Sequence, residues 1–302
     1  MTFQIVLVRL LHDPCAGAVG EDVTTQMLNT SSVHSHTTMI TTSSTGRQFL
    51  YLVLLLSNGI GPVAVERIIR NVHTTDLSED ELGELFIQGI IPTRIGLSPL
   101  HLRSVADAID NGALRTFHNL LLSGQRIICP YDAVLPDHYW ERAHLNRLPK
   151  IFIGCGEAPP TDAHWQAIIG SRSASQQSLD RAAERARDHV QSGGVIVSGG
   201  AAGVDTTALR AAHQAGGWTV CVPSASLLSD LKPQPRELHI SPYPPMTTFA
   251  PGLAMARNGI IASLATDIVV AHVAPGRDGR PSGTQDAIQR ATKIGVPMTV
   301  WE

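Results

Sequence analysis

The chain has 302 residues, of which 43% are hydrophobic, and its formal net charge at pH 7 is −3. A chain of this length buries a large core, and we expect more than one domain. The slight negative charge excludes a surface that attracts polyanions everywhere, so nucleic-acid binding would need a local basic cleft. The four cysteines form no C-x-x-C pair, which is typical of a reduced cytosolic protein without a zinc knuckle or a disulfide framework.

Neither a membrane span nor a secretion signal is expected. The longest early apolar run, 50–56, is too short to cross a bilayer. The first residues alternate apolar and polar, and they include Arg9 and Asp13 where a signal peptide needs an unbroken apolar segment. We therefore predict a cytoplasmic protein that does not bind a membrane.

Residues 1–46 are predicted to form a disordered tail. The stretch 29–45 is rich in Ser and Thr and has too little apolar surface to offset the entropy lost on ordering. His34 and His36 have no acidic or thiol neighbours in this tract, so we expect solvated side chains rather than metal ligands. Met39 offers an alternative start of translation.

Residues 47–124 are predicted to form a small all-α domain of the helix-hairpin-helix type. The apolar run 50–57 predicts a buried helix that breaks at 58–61, and the helical pattern resumes with Pro62 in its first turn. Such a glycine turn presents backbone amides to a DNA phosphate, but two helices that simply need a tight turn would show the same pattern. A further helix pair is expected at 77–86 and 100–122.

The segment 123–165 is predicted to be a connector of short strands and turns. Candidate strands occur at 126–130, 131–136 and 150–154, and the prolines between them argue against a separate sheet. We therefore group this connector with the domain that follows, as residues 125–302.

Strands and helices alternate regularly after this connector. The predicted strands are 167–170, 195–198, 218–222, 267–273 and 296–301, and the predicted helices are 179–190, 204–215, 255–264 and 284–294. Strands separated by helices of this length predict an α/β fold with a parallel sheet and right-handed crossovers. Ligands of such sheets bind beyond the carboxyl ends of the strands.

Four loops at these strand ends carry the candidate ligand-binding residues. The run 195–198 breaks into glycines and then into a helix, a pattern that suits an anion because the first amides of a helix lack partners. Arg172 and Arg257 add cations. Each loop also has a structural explanation, as a surface cation, a helix cap or a tight turn. The candidate phosphate-binding residues are Gly170, Ser171, Arg172, Ser198, Gly199, Gly200, Gly203, Asp205, Arg257, Asn258, Ser282, Gly283 and Thr284.

Asp205 is the most ambiguous of these candidates. A carboxylate repels a phosphate, so we expect it to cap the helix or to bind a sugar hydroxyl. Tyr243 either stacks on a base or packs in its turn. The chain shows no catalytic constellation, no Walker loop and no H-E-x-x-H motif, so we predict no catalytic residues, no metal and no cofactor.

Five motifs resemble those of the DprA/Smf family of DNA-processing proteins in order and spacing. They are GSR at 170–172, SGGAAGVD at 198–205, SPYPP at 241–245, ARNGIIASLA at 256–265 and SGT at 282–284. The helices at 50–70 and the segment 131–154 resemble the helical, SAM-like domain and the connector of that family. The resemblance implies an α/β fold with an extended Rossmann-like parallel sheet and helices on both faces, preceded by the small all-α domain.

The resemblance also implies a function. It implies single-stranded DNA bound in a basic pocket, a homodimer, delivery of that DNA to the RecA recombinase, and a role in natural transformation and recombination. We expect backbone amides, Arg172 and Arg257 to hold the phosphodiester chain.

This chain departs from the family pattern at three positions. Ala202 stands where the family usually has Arg or Lys, Gly259 replaces the second Arg of R-N-R, and Pro242 replaces the Glu of S-E-Y-P. Each lost phosphate contact lowers both the affinity for DNA and its salt dependence by about one counterion's worth.

Two alternatives remain open. One is a Rossmann-like nucleotide-binding enzyme or sensor related to the phosphoribohydrolases, whose P-G-G-x-G-T turn resembles the segment 281–284. Gln285 and Asp286 follow that turn, without a clear counterpart of the catalytic glutamate. The other is an interaction protein that keeps the fold without the ligand.

Overall fold

The computed structural model describes residues 45–92, 95, 97–276 and 281–301. The predicted tail, with His34, His36 and Met39, lies outside the described residues apart from its last two positions. These two, Thr45 and Gly46, already belong to the first helix. The division into a helical domain at 47–124 and a second domain at 125–302 stays a prediction.

Helices make up the N-terminal part of the described chain: α1 (Thr45–Leu56), α2 (Pro62–Val72), α3 (Glu79–Ile87), α4 (Pro99–Asp110) and α5 (Ala113–Leu122). The turn between α1 and α2 follows the predicted pattern, with Gly59 at a φ of 78° and Pro62 opening α2. The predicted helix 100–122 is two helices, because Gly112 adopts a left-handed conformation with a φ of 96°.

The sheet has eight strands among the described residues: β1 (Gln125–Ile128), β2 (Phe152–Gly156), β3 (Trp165–Gly170), β4 (Val195–Ser198), β5 (Trp218–Cys221), β6 (Glu237–Ser241), β7 (Asp267–His272) and β8 (Met298–Val300). Their order is β1-β2-β6-β5-β4-β3-β7-β8. The strands from β6 to β8 in this order pair in parallel, which confirms the predicted α/β fold. β1 and β2 extend one side of the sheet as antiparallel strands.

The connector differs from its prediction. The expected strand at 131–136 is a turn, and it leads into α6 (Asp137–Asn146), a helix that the pattern did not predict. β6 was also missed, because it lies in a proline-rich stretch, although Leu238 and Ile240 alternate there with polar residues.

Helices cover both faces of the parallel strands, as predicted. α7 (Gln176–Gln191) and α8 (Val204–Gln214) pack on one face, against Ile168 and Ile196. α6, α9 (Pro251–Leu264) and α10 (Gly283–Ile294) pack on the other face, where Ala167 and Val197 point. Alternate residues of each strand therefore fill separate cores. The N-terminal helices form a further core with the antiparallel strands β1 and β2, in which they cover Ile127 and Ile153.

One edge of the sheet collects the loops of interest. The parallel strands β3 to β7 all end there, and we call it the carboxyl edge. β2 runs in the opposite direction and therefore begins there, with Ile153 opposite Ser241 at the end of β6. Ligands of such sheets bind at this edge. In the part of the chain that the structure describes, no helix combines the length and the apolar character that crossing a bilayer requires.

Candidate nucleic-acid interface

The glycine loop, residues 199–203, connects β4 to α8 at the carboxyl edge. Gly200 and Gly203 have φ angles of 66° and 87°, which glycine adopts without strain. A Cβ on Gly203 would lie only 2.6 Å from the carbonyl oxygen of Ser171 and 2.8 Å from that of Arg172. The glycine loop therefore packs directly on the turn at 170–172, and the first two predicted motifs meet.

The amides of the glycine loop fall into two sets. The amide of Gly199 donates to Asp205 Oδ2 over 3.2 Å, and the amide of Ala201 also stabilises that carboxylate. Among the described residues, no acceptor pairs with the amides of Gly200, Ala202 and Gly203. These three amides lie where α8 begins, and there the helix dipole favours a bound anion.

Asp205 supports the glycine loop from inside. Its side chain is 7% exposed, and burial raises the pKa of its carboxyl above the ordinary value, against the opposing effects of Arg257 and the loop amides. The amide of Gly170 contributes a further interaction with the carboxylate. The carboxylate thus interacts with the backbone of two candidate loops from the buried side.

Arg257 lies behind the glycine loop. Its side chain is 6% exposed, its Nη1 lies 3.7 Å from Asp205 Oδ2, and a Cβ on Gly199 would overlap its guanidinium. We predicted that Arg257 contacts phosphate directly, but in the structure the buried guanidinium holds the loop from beneath. The difference arises because this face of α9 packs against the sheet. Asp205 offsets the charge of this buried cation, so Arg257 acts on the loop through packing and the ion pair.

The hydroxyl groups of the two strand-end serines are used within the fold. Ser198 is fully buried, and its Oγ donates to the carbonyl oxygen of Ile168 over 2.6 Å. Ser171 is 6% exposed, and its Oγ accepts from the amide of Ser173 over 3.1 Å. Ser198 is the last residue of a buried strand, so its side chain points into the core, and its place among the phosphate-binding candidates stays a prediction.

Arg172 is exposed and lies beside an aromatic ring that the sequence reasoning missed. Its Cζ lies 5.8 Å from the centroid of the Phe249 ring, within cation–π range, and Phe249 is 53% exposed. Of the two alternatives for Tyr243, stacking on a base or packing in its turn, the structure favours packing, because its hydroxyl donates to the carbonyl oxygen of Leu253 over 2.7 Å. The sequence signal for Phe249 as a stacking residue was its position as an isolated aromatic residue in the segment that follows β6.

The remaining candidates form a second cluster where α9 meets α10. The Nδ2 of Asn258 donates to the carbonyl oxygen of Gly283 over 3.1 Å and to Asp286 Oδ2 over 2.9 Å. Ser282 caps α10 and exchanges hydrogen bonds with Gln285. Thr284 is 7% exposed, whereas space is open around Gly283. This cluster adjoins the first, because Arg257 and Asn258 are consecutive in α9.

Two positions that depart from the resembled pattern differ in their surroundings. Ala202 is exposed at the glycine loop. Gly259 is buried, and a Cβ there would lie 3.2 Å from Leu148 Cδ2 and 3.7 Å from Arg290 Nη1. A longer side chain therefore has open space at position 202, whereas at position 259 the Leu148 side chain would have to shift. Within the described ranges, His, Cys, Asp and Glu side chains form no cluster of three or more that could hold a metal ion.

Comparisons with known proteins concern the family and the fold of the chain. A family model described as DNA recombination-mediator protein A matches residues 126–301. DNA processing protein A from Streptococcus pneumoniae is 21% identical, and the alignment covers 86% of this chain and 87% of that one with a TM-score of 0.61. This likeness supports the fold over most of the chain. No curated protein matches the chain.

Two further solved structures are similar to parts of the chain. DNA processing protein A from Helicobacter pylori, described for its single-stranded DNA binding mode, is 26% identical over 55% of this chain and 77% of that one, with a TM-score of 0.45. A molybdenum cofactor binding protein from Rippkaea orientalis is 18% identical over 46% of this chain and 76% of that one, with a TM-score of 0.36.

Proposed function

This chain belongs to the family of DNA recombination-mediator protein A, and from that premise we propose that it binds single-stranded DNA through the glycine loop at the carboxyl edge. The family consists of DNA-binding mediators without enzymatic activity, so the chain has a DNA-processing role and is not an enzyme. The alternative of a nucleotide-processing enzyme is thereby set aside.

The observation that carries the proposal is the set of three open amides of Gly200, Ala202 and Gly203 at the start of α8. Amides in this arrangement bind a phosphate oxygen through hydrogen bonds and positive potential, without reading the base sequence. Arg172 lies on the adjoining turn and provides an exposed cation for a neighbouring phosphate.

Phe249 supports the proposal that the site prefers single strands. Its half-exposed ring beside Arg172 offers a stacking surface, and a base can reach it only when it is unpaired. Contacts to phosphates and to the face of one base leave the Watson–Crick edges of the other bases free. We propose that a recombinase of the RecA type receives the strand in this state, during natural transformation, from a homodimer in the cytoplasm.

Fluorescence anisotropy with a labelled oligothymidylate tests the DNA-binding proposal. We expect Phe249→Ala to weaken binding by about fivefold to 150-fold, because stacking on an aromatic ring contributes about 1–3 kcal/mol per base. Arg172→Ala should lower the slope of log affinity against log salt by about 0.7, the value for one phosphate contact with a single strand. Arg187→Ala is the control, because Arg187 is exposed near the end of α7, away from the carboxyl edge.

Equal affinities and salt slopes for wild type, Phe249→Ala and Arg172→Ala would contradict the proposed site. Delivery to the recombinase is tested separately, by whether the protein accelerates RecA filament formation on strands coated with single-stranded DNA binding protein. Absence of any acceleration would contradict that finer role without affecting the proposed DNA contact.

A further inference from the structure

We propose that a second groove, on the N-terminal helices, binds the phosphate backbone of the same DNA strand beyond the glycine loop; this inference rests on the proposed function. The groove is a cavity of about 350 Å³ between α2 and the connection from α6 to β2. We call it the α2 groove. Its charged lining consists of Glu66, Arg67, Arg70, His144, Arg147 and Lys150.

The α2 groove concentrates positive charge on a chain that is acidic overall. Four Arg and Lys side chains face one carboxylate, which leaves an excess of three positive charges before His144 is counted. Glu66 is shared among several partners, with Lys150 Nζ at 2.6 Å, Arg70 Nη2 at 3.0 Å and His144 Nδ1 at 2.9 Å. This shared ion pair fixes the wall of the groove, and one carboxylate cannot neutralise all of its cations.

Two arginines in the α2 groove remain available to a ligand. Within the described ranges, neither Arg67 nor Arg147 lies within ion-pair distance of a carboxylate, and both are exposed. The Nη2 of Arg67 lies 3.4 Å from His101 Nδ1, which supplies no negative charge. Arg147 follows α6 as its C-cap, in a left-handed conformation with a φ of 55° that glycine usually adopts.

The positive end of a helix points toward the same cavity. Pro62 and Val63, the first two residues of α2, belong to its lining. They follow the Gly-Ile-Gly turn, which the sequence predicted to be either a phosphate-binding hairpin or a simple tight turn. The surrounding arginines favour the first of these interpretations, because phosphate binding at a helix N-terminus is strengthened by flanking cations.

The α2 groove and the glycine loop lie at the same edge of the sheet. Lys150 precedes β2, which begins at the carboxyl edge. β2 is separated from β4 by β6 and β5, so three strand spacings of about 4.8 Å place the two strands about 14 Å apart. Leu148, next to Arg147, approaches Gly259 of α9. The shared edge of the sheet favours one DNA strand that runs across both sites over an acidic peptide as the ligand.

The test compares short and long oligonucleotides with the double variant Arg67→Gln/Arg147→Gln. An oligothymidylate of about six nucleotides fills one site, whereas one of about 20 nucleotides reaches both. For the long strand we expect weaker binding and a salt slope reduced by about 1.4, which is two contacts of about 0.7 each. Binding of the short strand should not change. Both substitutions leave the ion pairs of Glu66 in place, and an unchanged thermal melting curve verifies the fold.

Arg187→Gln/Arg210→Gln is the matched control, because both arginines are exposed in the second halves of α7 and α8. It should bind both lengths like wild type. A groove variant that binds the long strand like wild type overturns the inference, and so does one that loses both lengths equally. Polyglutamate is the probe for an acidic protein partner. If the groove variant loses polyglutamate binding but still binds the long strand like wild type, the groove belongs to an acidic protein partner, and the inference is overturned. Failure of wild type to bind either length instead refutes the proposed function.

Discussion

Replacing Gly199 by alanine tests how the glycine loop is supported. The added Cβ would overlap the guanidinium of Arg257 and lie 2.7 Å from its Nη2. The guanidinium is buried among the sheet, α9 and Asp205, so it cannot simply rotate into solvent. We therefore expect Gly199→Ala to displace Arg257 and to distort the loop whose amides are proposed to bind phosphate.

The expected loss of stability follows from these contacts. Insertion of an extra carbon into a filled site costs about 1–3 kcal/mol. If Arg257 also leaves Asp205, the cost rises toward the range of about 3–5 kcal/mol for a broken buried ion pair. Gly252→Ala is the control in the same helix as Arg257, because nothing lies within 4 Å of its added Cβ. It should be neutral or stabilise the protein by up to about 1 kcal/mol.

Urea unfolding of the single variants and of a double variant measures this effect. In the Arg257→Gln background the obstructing guanidinium is absent, so Gly199→Ala should cost less than about 0.5 kcal/mol, and the two substitutions should be strongly coupled. Strictly additive costs, or a Gly199→Ala variant as stable as wild type, would refute the close packing of Arg257 beneath the loop.

Two further predictions concern charge. Ala202→Lys places a cation beside the open amides at an exposed position. The salt slope of single-stranded DNA binding should therefore steepen by about 0.7. Ala202→Gln adds no charge and should leave the salt slope unchanged. Burial lowers the pKa of His189, whose Nε2 lies 2.9 Å from the carbonyl oxygen of His164, below its ordinary value of 6.5. The folded state therefore holds His189 neutral. The contribution to stability is complete above pH 6.5. It declines as the pH falls toward the folded-state pKa, by at most about 1.4 kcal/mol per pH unit. His189→Gln should show a smaller loss of unfolding free energy between neutral and mildly acidic pH, and an equal loss would contradict this origin.

Regular alternation along the chain was enough to predict the central fold. The apolar run 195–198 and the helices on either side of it predicted a buried parallel strand, and β4 is such a strand. The patterns failed where the signal is short or mixed. In α6 the apolar residues Tyr139, Trp140 and Ala143 are interrupted by charged ones, and the four-residue spacing was overlooked.

The sequence predicted which loops come together, but not the directions of their side chains. The rule that ligands bind at the carboxyl ends of parallel strands brought the loops at 170–172 and 199–203 together correctly. Which face of α9 turns inward depends on packing against distant elements, so the burial of Arg257 could not be predicted. The α2 groove was missed for a similar reason, since Arg67 and Arg147 are far apart in the sequence.

The most direct test of the central claim is to locate the DNA on the protein by NMR. We predict that an oligothymidylate shifts the backbone amide signals of Gly200, Ala202 and Gly203, whose protons face the proposed phosphate. The amides of Gly193 and Gly216 should not shift, because these glycines precede β4 and β5 and lie at the opposite edge of the sheet. Shifts confined to Gly193 and Gly216, with the glycine loop unaffected by bound DNA, would contradict the account.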